Sequence, residues 1–334
     1  MEISTVPVVF FRALLEAALR RGCVREGLLA DMEVSEEVLA QDRARLPGAT
    51  YSALVERLTD ELQDEYCGLV TQPVKPGTFA MMCYACIHCA TLGDFLERST
   101  HFHELFNDNC KIVLGRDDDE ARLEFLPLDG VEDPHHLLAM SVLAICHRLM
   151  SWLLGQGLVL SAVRFAHPRP EYAAAYNLLF RAPIQFDGDR HCLLFSSSYL
   201  DMPVRQSEQA LEEFLQMPGA RLMGNPDNRN SHAAKVANLI RDEVAAEFPD
   251  FEWVAGQLHS TSGTLRRRLR QEGTSYQQLK DDIRRDTAIY NLNRGTMSTE
   301  EVAASVGFSE PTSFFRAFKR WTGVTPRAYI VKQG

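Results

Sequence analysis

Residues 298–326 read STEEVAASVGFSEPTSFFRAFKRWTGVTP, and the helix and turn signals in this segment indicate how the C-terminal part of the chain folds. Ser298 and Glu301 have the spacing of a capping box, a pair that marks the start of a helix. Gly307 follows the apolar face of that helix and suits the positive φ at which many helices end. Because the start and the end are both encoded locally, we predict a short helix followed by a tight turn.

A second helix is predicted directly after this turn. Ser309 can cap it, and Pro311 is tolerated in a first helical turn. Phe314 and Phe318 lie four residues apart, so they share one face, which we expect to be buried. The other faces carry Thr312, Phe315, Arg316 and Lys319. A helix, a tight turn and a second helix make a helix-turn-helix unit.

The same unit occurs twice in the last hundred residues. Val254 and Val302 open the two copies, 48 residues apart, and Gly273 and Gly323 close them, 50 residues apart. Self-similarity at a fixed period marks a repeated structural unit. We therefore predict two helix-turn-helix units in the C-terminal part of the chain.

The second helix of the first copy is strongly basic. Thr261 is its expected cap, and Leu265 and Leu269 are its expected buried anchors. Four arginines occupy much of its remaining surface, namely Arg266, Arg267, Arg268 and Arg270. Such a helix is costly to bury, whereas guanidinium groups bind phosphates and the edges of guanine bases. This pattern predicts a helix that contacts DNA.

A single helix is predicted to join the two copies. Ser275 and Gln278 have capping-box spacing at its start, and Gly295 is expected to end it. Its length of about eighteen residues spans roughly 27 Å at 1.5 Å per residue. Two DNA-reading helices held this far apart fit consecutive major-groove segments, about one turn of DNA from each other.

The charge of the 334-residue chain is divided unevenly, although the net charge is −10. Residues 1–231 carry 20 Lys or Arg against 33 Asp or Glu (net −13), and residues 232–334 carry 15 against 12 (net +3). A dense stretch of Pro, Gly and Asn near the boundary favours a linker there. We therefore predict a sensing and dimerisation domain at 1–216, a linker at 217–231 and a DNA-binding domain at 232–334.

The N-terminal domain is predicted to be α+β. Apolar residues recur every three or four positions in the first blocks, as in helices, and the period changes to two near residue 111. Thr91, followed by Asp94, offers an N-cap for one of these helices. Short strands are predicted at 111–114, 121–126, 162–166, 184–186 and 191–195, and a long helix at 135–154. We expect helices that cover a small mixed or antiparallel sheet.

The cysteines leave one alternative function open. All eight lie in the first 192 residues without the pattern of a disulfide scaffold, so reduced thiols are expected. Cys83, Cys86 and Cys89 are spaced like metal ligands, and a thiol-responsive or metal-responsive regulator is therefore an alternative. On a helix they form a narrow stripe of small apolar side chains, which favours simple burial. We predict no metal and no cofactor.

Other function classes find little support in the sequence. No segment resembles an export signal or a membrane span, so we expect a cytoplasmic protein with no membrane partner. No nucleophile motif, phosphate-binding glycine loop or zinc-protease pattern occurs, and an enzyme is not expected. Asp117–Glu120 lacks the spaced ligands of a calcium loop and is expected to be a solvated hairpin tip. A second alternative is an adaptor whose helix-turn-helix units bind protein instead of DNA.

Residues 248–329 closely resemble the DNA-binding domain of AraC/XylS-type bacterial transcription regulators. The resemblance is most specific over 301–326, which looks like the second helix-turn-helix of that family nearly throughout. It implies a first reading helix that carries Gly263, Thr264, Arg266 and Arg267, and a second that carries Glu310, Thr312, Ser313, Phe315 and Arg316. Arg270 and Lys319, basic residues of the same two helices, complete the predicted DNA-binding set.

Two positions depart from the family pattern. His259 stands in the first turn, where the family often has Gly, and His tolerates positive φ less well than Gly. Gly263 occupies a position that often reads a base in the family. We therefore expect the first unit to supply mainly phosphate affinity, and the second unit to carry more of the sequence specificity.

The N-terminal part also resembles a known domain. Residues 25–204 are similar to the effector domain of the branch of this family that includes ornithine-utilisation-like regulators. The matching pieces are Cys67–Leu69, Pro76–Phe79, Thr91–Asp94 and Val163–Tyr172. The resemblance implies a domain that senses a small-molecule effector and forms a homodimer. It also implies promoter DNA and RNA polymerase as partners, with activation of transcription as the output.

Overall fold

The computed structural model describes residues 5–30, 32, 34–128, 131, 133–180, 182–216, 232–242, 248–272 and 274–330, without the side chains of residues 174, 178 and 242. The chain divides into two compact units. Unit 1 takes its residues from 1–12, 29–51 and 230–334, and unit 2 takes its residues from 13–28 and 52–229. Two N-terminal segments therefore share a unit with the C-terminal hundred residues. The predicted linker, 217–231, lies outside the described residues.

Unit 2 is built around a five-stranded sheet. In spatial order the strands are β3 (Cys110–Arg116), β4 (Glu120–Pro127), β7 (His191–Ser196), β5 (Leu160–Arg164) and β6 (Ile184–Gln185). β5 and β6 run parallel, and the other neighbouring strands run antiparallel. The sheet is therefore mixed. The predicted hairpin is confirmed, because β3 pairs with β4 from Cys110 opposite Pro127 to Arg116 opposite Ala121.

Helices pack on this sheet and complete the α+β architecture. Unit 2 contains α5 (Thr78–Cys86), α6 (Leu92–Phe106), α7 (Leu137–Leu153), α8 (Ala174–Phe180) and α9 (Glu208–Leu215), while α1 (Val8–Arg20), α2 (Arg25–Leu29) and α4 (Gly48–Leu62) cross the boundary between the units. α6 packs on β3, and α7 packs on β4 and β7. Thr91 starts α6 in a capping box with Asp94, which confirms the predicted cap. Among the described residues, no helix is long and apolar enough to span a bilayer.

The described C-terminal residues of unit 1 are helical. In chain order they form α10 (His232–Asp242), α11 (Phe251–Gln257), α12 (Ser262–Gln271), α13 (Tyr276–Arg294), α14 (Thr299–Ser305), α15 (Pro311–Thr322) and a 3₁₀ helix at Pro326–Tyr329. α11 with α12 and α14 with α15 are the two predicted helix-turn-helix units, and α13 is the predicted joining helix. The first helix-turn-helix buries Val254, Leu265 and Leu269 in its core, and the second fully buries Phe314 and Phe318.

Unit 1 also contains segments from the start of the chain. β1 (Thr5–Pro7) and β2 (Arg45–Pro47) form a two-stranded antiparallel sheet, and α3 (Glu36–Leu39) precedes β2. β2 packs against α13, and α3 packs against the 3₁₀ helix. The Ser35 hydroxyl donates to the carbonyl of Ala328, 293 positions away, over 3.0 Å. No local sequence pattern predicted these contacts.

A buried polar network ties β1 and β2 to the helices of unit 1. The Thr5 hydroxyl donates to Asp286 Oδ1 over 2.7 Å and accepts from Arg45 Nε over 2.6 Å. The backbone N–H of Arg45 donates to the Tyr329 hydroxyl over 3.1 Å. Burial, reinforced by the nearby Arg285, lowers the pKa of Arg45 to about 10, so its guanidinium stays charged at neutral pH. Buried charges require such partners, and β1 and β2 are therefore held firmly in unit 1.

Candidate nucleic-acid interface

Side-chain caps define both helices of the first helix-turn-helix. The Asp250 carboxylate accepts from the backbone N–H of Trp253 over 2.7 Å at the start of α11. At the start of α12, the Thr261 hydroxyl accepts from the backbone N–H of Thr264 over 3.2 Å, which confirms the predicted cap. Leu265 then points into the core and is 0% exposed. The capped start and the buried anchor leave the opposite face of α12 free.

The turn between α11 and α12 is made by a residue that is not glycine. His259 has a φ of 47°, in the left-handed region, and its N–H donates to the carbonyl of Gly256 over 3.0 Å. At this φ a Cβ crowds the following carbonyl oxygen, which is why glycine is favoured. The turn between α11 and α12 therefore has the backbone geometry that favours glycine, and His259 adopts it with more strain than glycine would.

The free face of α12 carries the side chains that were predicted to contact DNA. Gly263, Arg266, Arg267 and Arg270 are exposed, and Thr264 is half-buried. The Arg266 guanidinium lies 5.4 Å from the centre of the Phe251 ring, which gives it an aromatic support. A Cβ at Gly263 would meet nothing within 4 Å, so the start of α12 is open to the close approach of a ligand.

Arg268 differs from the other three arginines of α12. Its Nη1 lies 2.8 Å from His232 Nε2, at the start of α10. The Glu272 carboxylate accepts from the backbone N–H groups of His232 and Ala233 over 2.9 Å and 2.8 Å, and so caps α10. Arg268 therefore holds α10 in place, whereas the sequence pattern could not separate it from its neighbours.

The second helix-turn-helix begins with the predicted capping box. Ser298 N–H donates to Glu301 Oε2 over 2.7 Å, and Glu301 N–H donates to Ser298 Oγ over 3.2 Å. Gly307 ends this segment with a φ of 76°, as predicted. The first helix and the turn of this unit are thus set by three residues.

The start of α15 differs from the prediction. Ser309 does not cap this helix, which begins at Pro311 with Glu310 at the N-cap position and no side-chain hydrogen bond there. The fixed φ of proline suits the first helical position, and its missing N–H removes one donor that would otherwise need a partner. Pro311 therefore replaces the predicted serine cap.

α15 separates a buried face from an exposed one. Phe314, Ala317 and Phe318 are buried, as the four-residue spacing predicted for the two phenylalanines. The exposed residues include every predicted contact of this unit, namely Glu310, Thr312, Ser313, Phe315, Arg316 and Lys319. Phe315 is 36% exposed, and an apolar ring among polar groups can contact the methyl group of thymine.

α13 is one continuous helix between the two units. Its 19 residues correspond to about 28 Å at 1.5 Å per residue. The Ser275 hydroxyl caps its start by accepting from the backbone N–H of Gln278, and Gly295 ends it with a φ of 64°. The Gln278 side chain donates to Asp282 instead of to Ser275, so only half of the predicted capping box forms.

The cysteine alternative is not favoured by the environment of the thiols. Cys83 and Cys86 are 0% exposed, and Cys89 is 9% exposed. Burial raises the pKa of all three thiols, to about 11 for Cys86, so they stay protonated and unreactive at neutral pH. Within the described part of the chain, no group of three or more His, Cys, Asp or Glu residues could hold a metal ion.

These features define the class of the protein. Two capped helix-turn-helix units expose one basic helix each, a continuous helix joins them, and an α+β domain accompanies them. This combination is that of a DNA-binding transcription regulator.

Comparison with known families makes the assignment specific. Residues 22–204 match the arabinose-binding N-terminal domain of the AraC transcription regulator, and residues 254–331 match a helix-turn-helix domain family. The chain belongs to the AraC family of transcription regulators.

Relatives extend along nearly the whole chain. The ornithine utilization regulator of Pseudomonas aeruginosa is 28% identical over 97% of this chain and 96% of its own length. An HTH-type transcriptional regulator of Mycobacterium tuberculosis is 26% identical over 97% of this chain and 95% of its own length. The crystal structure of the transcriptional regulator CdpR from Pseudomonas aeruginosa is 22% identical, covers 96% of this chain and 97% of its own, and has a TM-score of 0.35.

Proposed function

We propose that α12 and α15 enter consecutive major-groove segments of promoter DNA and read it as a pair. The observation that carries this proposal is the exposed basic face of each of the two helices, one of which precedes α13 in the chain while the other follows it. α12 starts at the Thr261 cap and α15 at Pro311, and both helices are anchored by buried apolar residues and carry arginine on an exposed face. A helix of this kind fits the width of the major groove.

Different side chains serve different parts of the DNA. Arg267 and Arg316 bond the edges of guanine bases, since a guanidinium group can donate to O6 and N7 together. Arg266, Arg270 and Lys319 bind phosphates, which adds affinity without sequence information. The remaining predicted contacts lie near the starts of the reading helices, where base edges are approached most closely. They are Gly263, Thr264, Glu310, Thr312, Ser313 and Phe315.

The two units contribute unequally to specificity. α12 offers Gly263 at a position that supplies no side chain, and Arg268 is engaged by His232. α15 and its N-cap residue offer a varied exposed set that includes a carboxylate, two hydroxyl groups, an aromatic ring and three cations. The second unit therefore discriminates between sequences, while the first unit supplies mainly electrostatic affinity.

The N-terminal part supplies regulation. In this proposal residues 1–216 form a homodimer and bind a small-molecule effector, and residues 232–334 bind the promoter and act with RNA polymerase to activate transcription. The matched arabinose-binding domain family supports an effector at this part of the chain. A relative named for ornithine utilization makes L-ornithine the first compound to test. The test is a change in promoter affinity or in oligomeric mass when the compound is added.

Selection of genomic DNA by the purified full-length protein, followed by footprinting, tests the DNA-reading proposal. We expect a few promoters with paired protected segments about one helical turn apart. The double variant Arg267→Ala/Arg316→Ala should lose this selection, whereas Arg20→Ala, which removes an exposed arginine from α1, should keep it. Weak binding without a shared site, both with and without candidate effectors, would contradict the proposal.

A further inference from the structure

Arg284 lies in α13 between aromatic rings that belong to the two helix-turn-helix units. Its Cζ is 4.4 Å from the centre of the Phe248 ring and 5.0 Å from the centre of the Phe308 ring. Phe248 comes just before the first unit, and Phe308 lies in the turn of the second. A guanidinium group is attracted to the negative faces of aromatic rings. Arg284 therefore contacts both units from the helix that joins them.

Each of these two rings is anchored in its own unit. Phe248 packs against the apolar core that α10, α11 and α12 form with Leu279 and Ile283 of α13. Phe308 lies 5.7 Å from the ring of Phe314 and 6.0 Å from the ring of Trp321, both on α15. A rotation of either helix-turn-helix unit about α13 would therefore carry one ring away from Arg284.

The two helix-turn-helix units also approach each other directly beside Arg284. A Cβ at Gly307 would lie 3.1 Å from the Phe248 ring and 3.4 Å from Arg284 Nη2. The same Nη2 donates to the Gly307 carbonyl over 3.4 Å. The glycine that makes the second turn thus also gives Phe248 and Arg284 room to reach that turn.

The guanidinium of Arg284 depends on this arrangement. Among the described residues, its buried Nε has no hydrogen-bond partner. The guanidinium contacts the two ring faces and the Gly307 carbonyl, and Asp281 on the same helix attracts it electrostatically. The second helix-turn-helix supplies both the carbonyl and one of the rings. The contact is therefore sensitive to the relative position of the two units and would be lost if they moved apart.

We propose that Arg284 is a positioning residue that sets the angle and distance between α12 and α15, and through them the spacing of the two DNA segments that the protein recognises. This inference rests on the proposed paired reading of DNA. Rigid linkage of two binding elements raises affinity only for sites with the matching separation, because the second contact is then made at a high effective concentration. Arg284 supplies that rigidity at the point where the two units meet.

The test is binding to a set of DNA duplexes that carry the two protected segments at the natural spacing, at one base pair less, at one more, and one segment alone. For the unaltered protein, affinity should fall about tenfold or more when the spacing changes by one base pair. Arg284→Met should bind the natural spacing about tenfold more weakly and the altered spacings within about threefold of that value. Binding to one segment alone should stay unchanged.

Lys280→Met is the matched control. Lys280 lies one turn earlier on α13, and its Nζ is 5.4 Å from the Phe248 ring and 5.9 Å from the Tyr276 ring. The Lys280→Met variant therefore loses the same charge and a similar ring contact, but only on the side of the first helix-turn-helix. This variant should keep the spacing preference. Arg284→Lys, which retains the charge but not the flat guanidinium group, should give an intermediate preference and serves as the second variant if Arg284→Met unfolds.

The outcomes separate the two proposals. If Arg284→Met and Arg284→Lys both keep the spacing profile of the unaltered protein, Arg284 has a purely structural role and this inference is wrong. If the unaltered protein itself binds a single segment as well as the pair, paired reading fails, and the positioning role fails with it. Loss of the spacing preference in Lys280→Met as well would assign the effect to general charge and would also overturn the inference.

Discussion

At the scale of single residues, the position of an exposed arginine along its helix decides what it can read. Arg316 lies in the middle of α15, on the face that carries Thr312 and Ser313. Arg270 lies at the far end of α12, next to the last residue of that helix. Reading helices contact bases mainly with their first turns and phosphates with their flanks. The two arginines should therefore respond differently to removal.

Arg316→Ala should lose discrimination between a selected promoter site and random DNA, by roughly 1–3 kcal/mol, because a bidentate contact to guanine disappears. Arg270→Ala should weaken binding to both DNAs alike and reduce the slope of log affinity against log salt by about one. Affinity titrations at several salt concentrations measure both effects. Equal losses of affinity for specific and random DNA in both variants would show that Arg316 does not read a base.

His259→Gly should stabilise the protein by about 0.5–1 kcal/mol, because glycine takes the observed positive φ without the crowding that a Cβ causes. The gain is reduced by the larger conformational freedom of glycine in the unfolded chain. The matched variant His259→Ala keeps a Cβ at this φ and should give no gain. Urea unfolding followed by tryptophan fluorescence measures the difference, and a less stable glycine variant would contradict the strain argument.

At the scale of elements, short strands from the start of the chain complete the packing of a C-terminal helix. β2 packs against α13. Arg45 of β2 is charged and is only 9% exposed. Its Nη2 donates to the carbonyl of Thr5 over 2.6 Å, in addition to the bond from Nε to the Thr5 hydroxyl. Buried acceptors that lose their donors are expensive, so this side chain matters more than its distance from the DNA-reading helices indicates.

Arg45→Met should lower the free energy of unfolding of the full-length protein by about 1–3 kcal/mol, because the Thr5 oxygen atoms lose their donor in a buried place. Arg43→Met is the control, since Arg43 is exposed two residues earlier. It should change stability by less than about 0.5 kcal/mol. Denaturant melts of the two variants side by side give the comparison. Similar small effects for both would show that the network around Arg45 contributes little.

At the scale of the whole molecule, buried histidines make the stability of the fold depend on pH. His147 in α7 is 4% exposed, and its Nε2 donates to the Leu158 carbonyl over 2.9 Å. Burial lowers the pKa of His147 to about 4. The rings of His136 and His167 stack 3.8 Å apart, and His191 lies 5.8 Å from His167. Burial lowers the pKa of all three of these imidazoles, and nearby imidazoles add to the effect at His136 and His191.

The sign of the pH effect follows from these lowered values. An unfolded histidine binds a proton below about pH 6.5, whereas folded His147 binds one only near pH 4. The stability from neutral His147 is therefore complete above pH 6.5 and declines as the pH falls to about 4, by a total of about 3 kcal/mol. His147→Gln should flatten the slope of unfolding free energy against pH over this range. An unchanged slope in His147→Gln would refute the assignment.

The helices, turns and hairpin of this protein could be predicted because their signals lie within a few residues. Ser298 with Glu301, Thr91 with Asp94, and Gly307 each determine a helix end through bonds that span one turn. The repeat and the exposed arginines then indicated DNA binding. Ser309 shows the limit of local signals, because two possible starts compete there and the fixed φ of Pro311 decides between them.

Local sequence patterns thus establish the class of the protein, its two helix-turn-helix units and the buried and exposed faces of α12 and α15. The grouping of segments into compact units, the inward turn of Arg268 and the bridging position of Arg284 between the two helix-turn-helix units follow from tertiary packing alone. Thr5 and Asp286 are 281 positions apart, and Arg268 meets His232 across 36. Such pairings depend on the path of the whole chain, and the free energy of a buried polar contact is gained only once that path has brought its partners together.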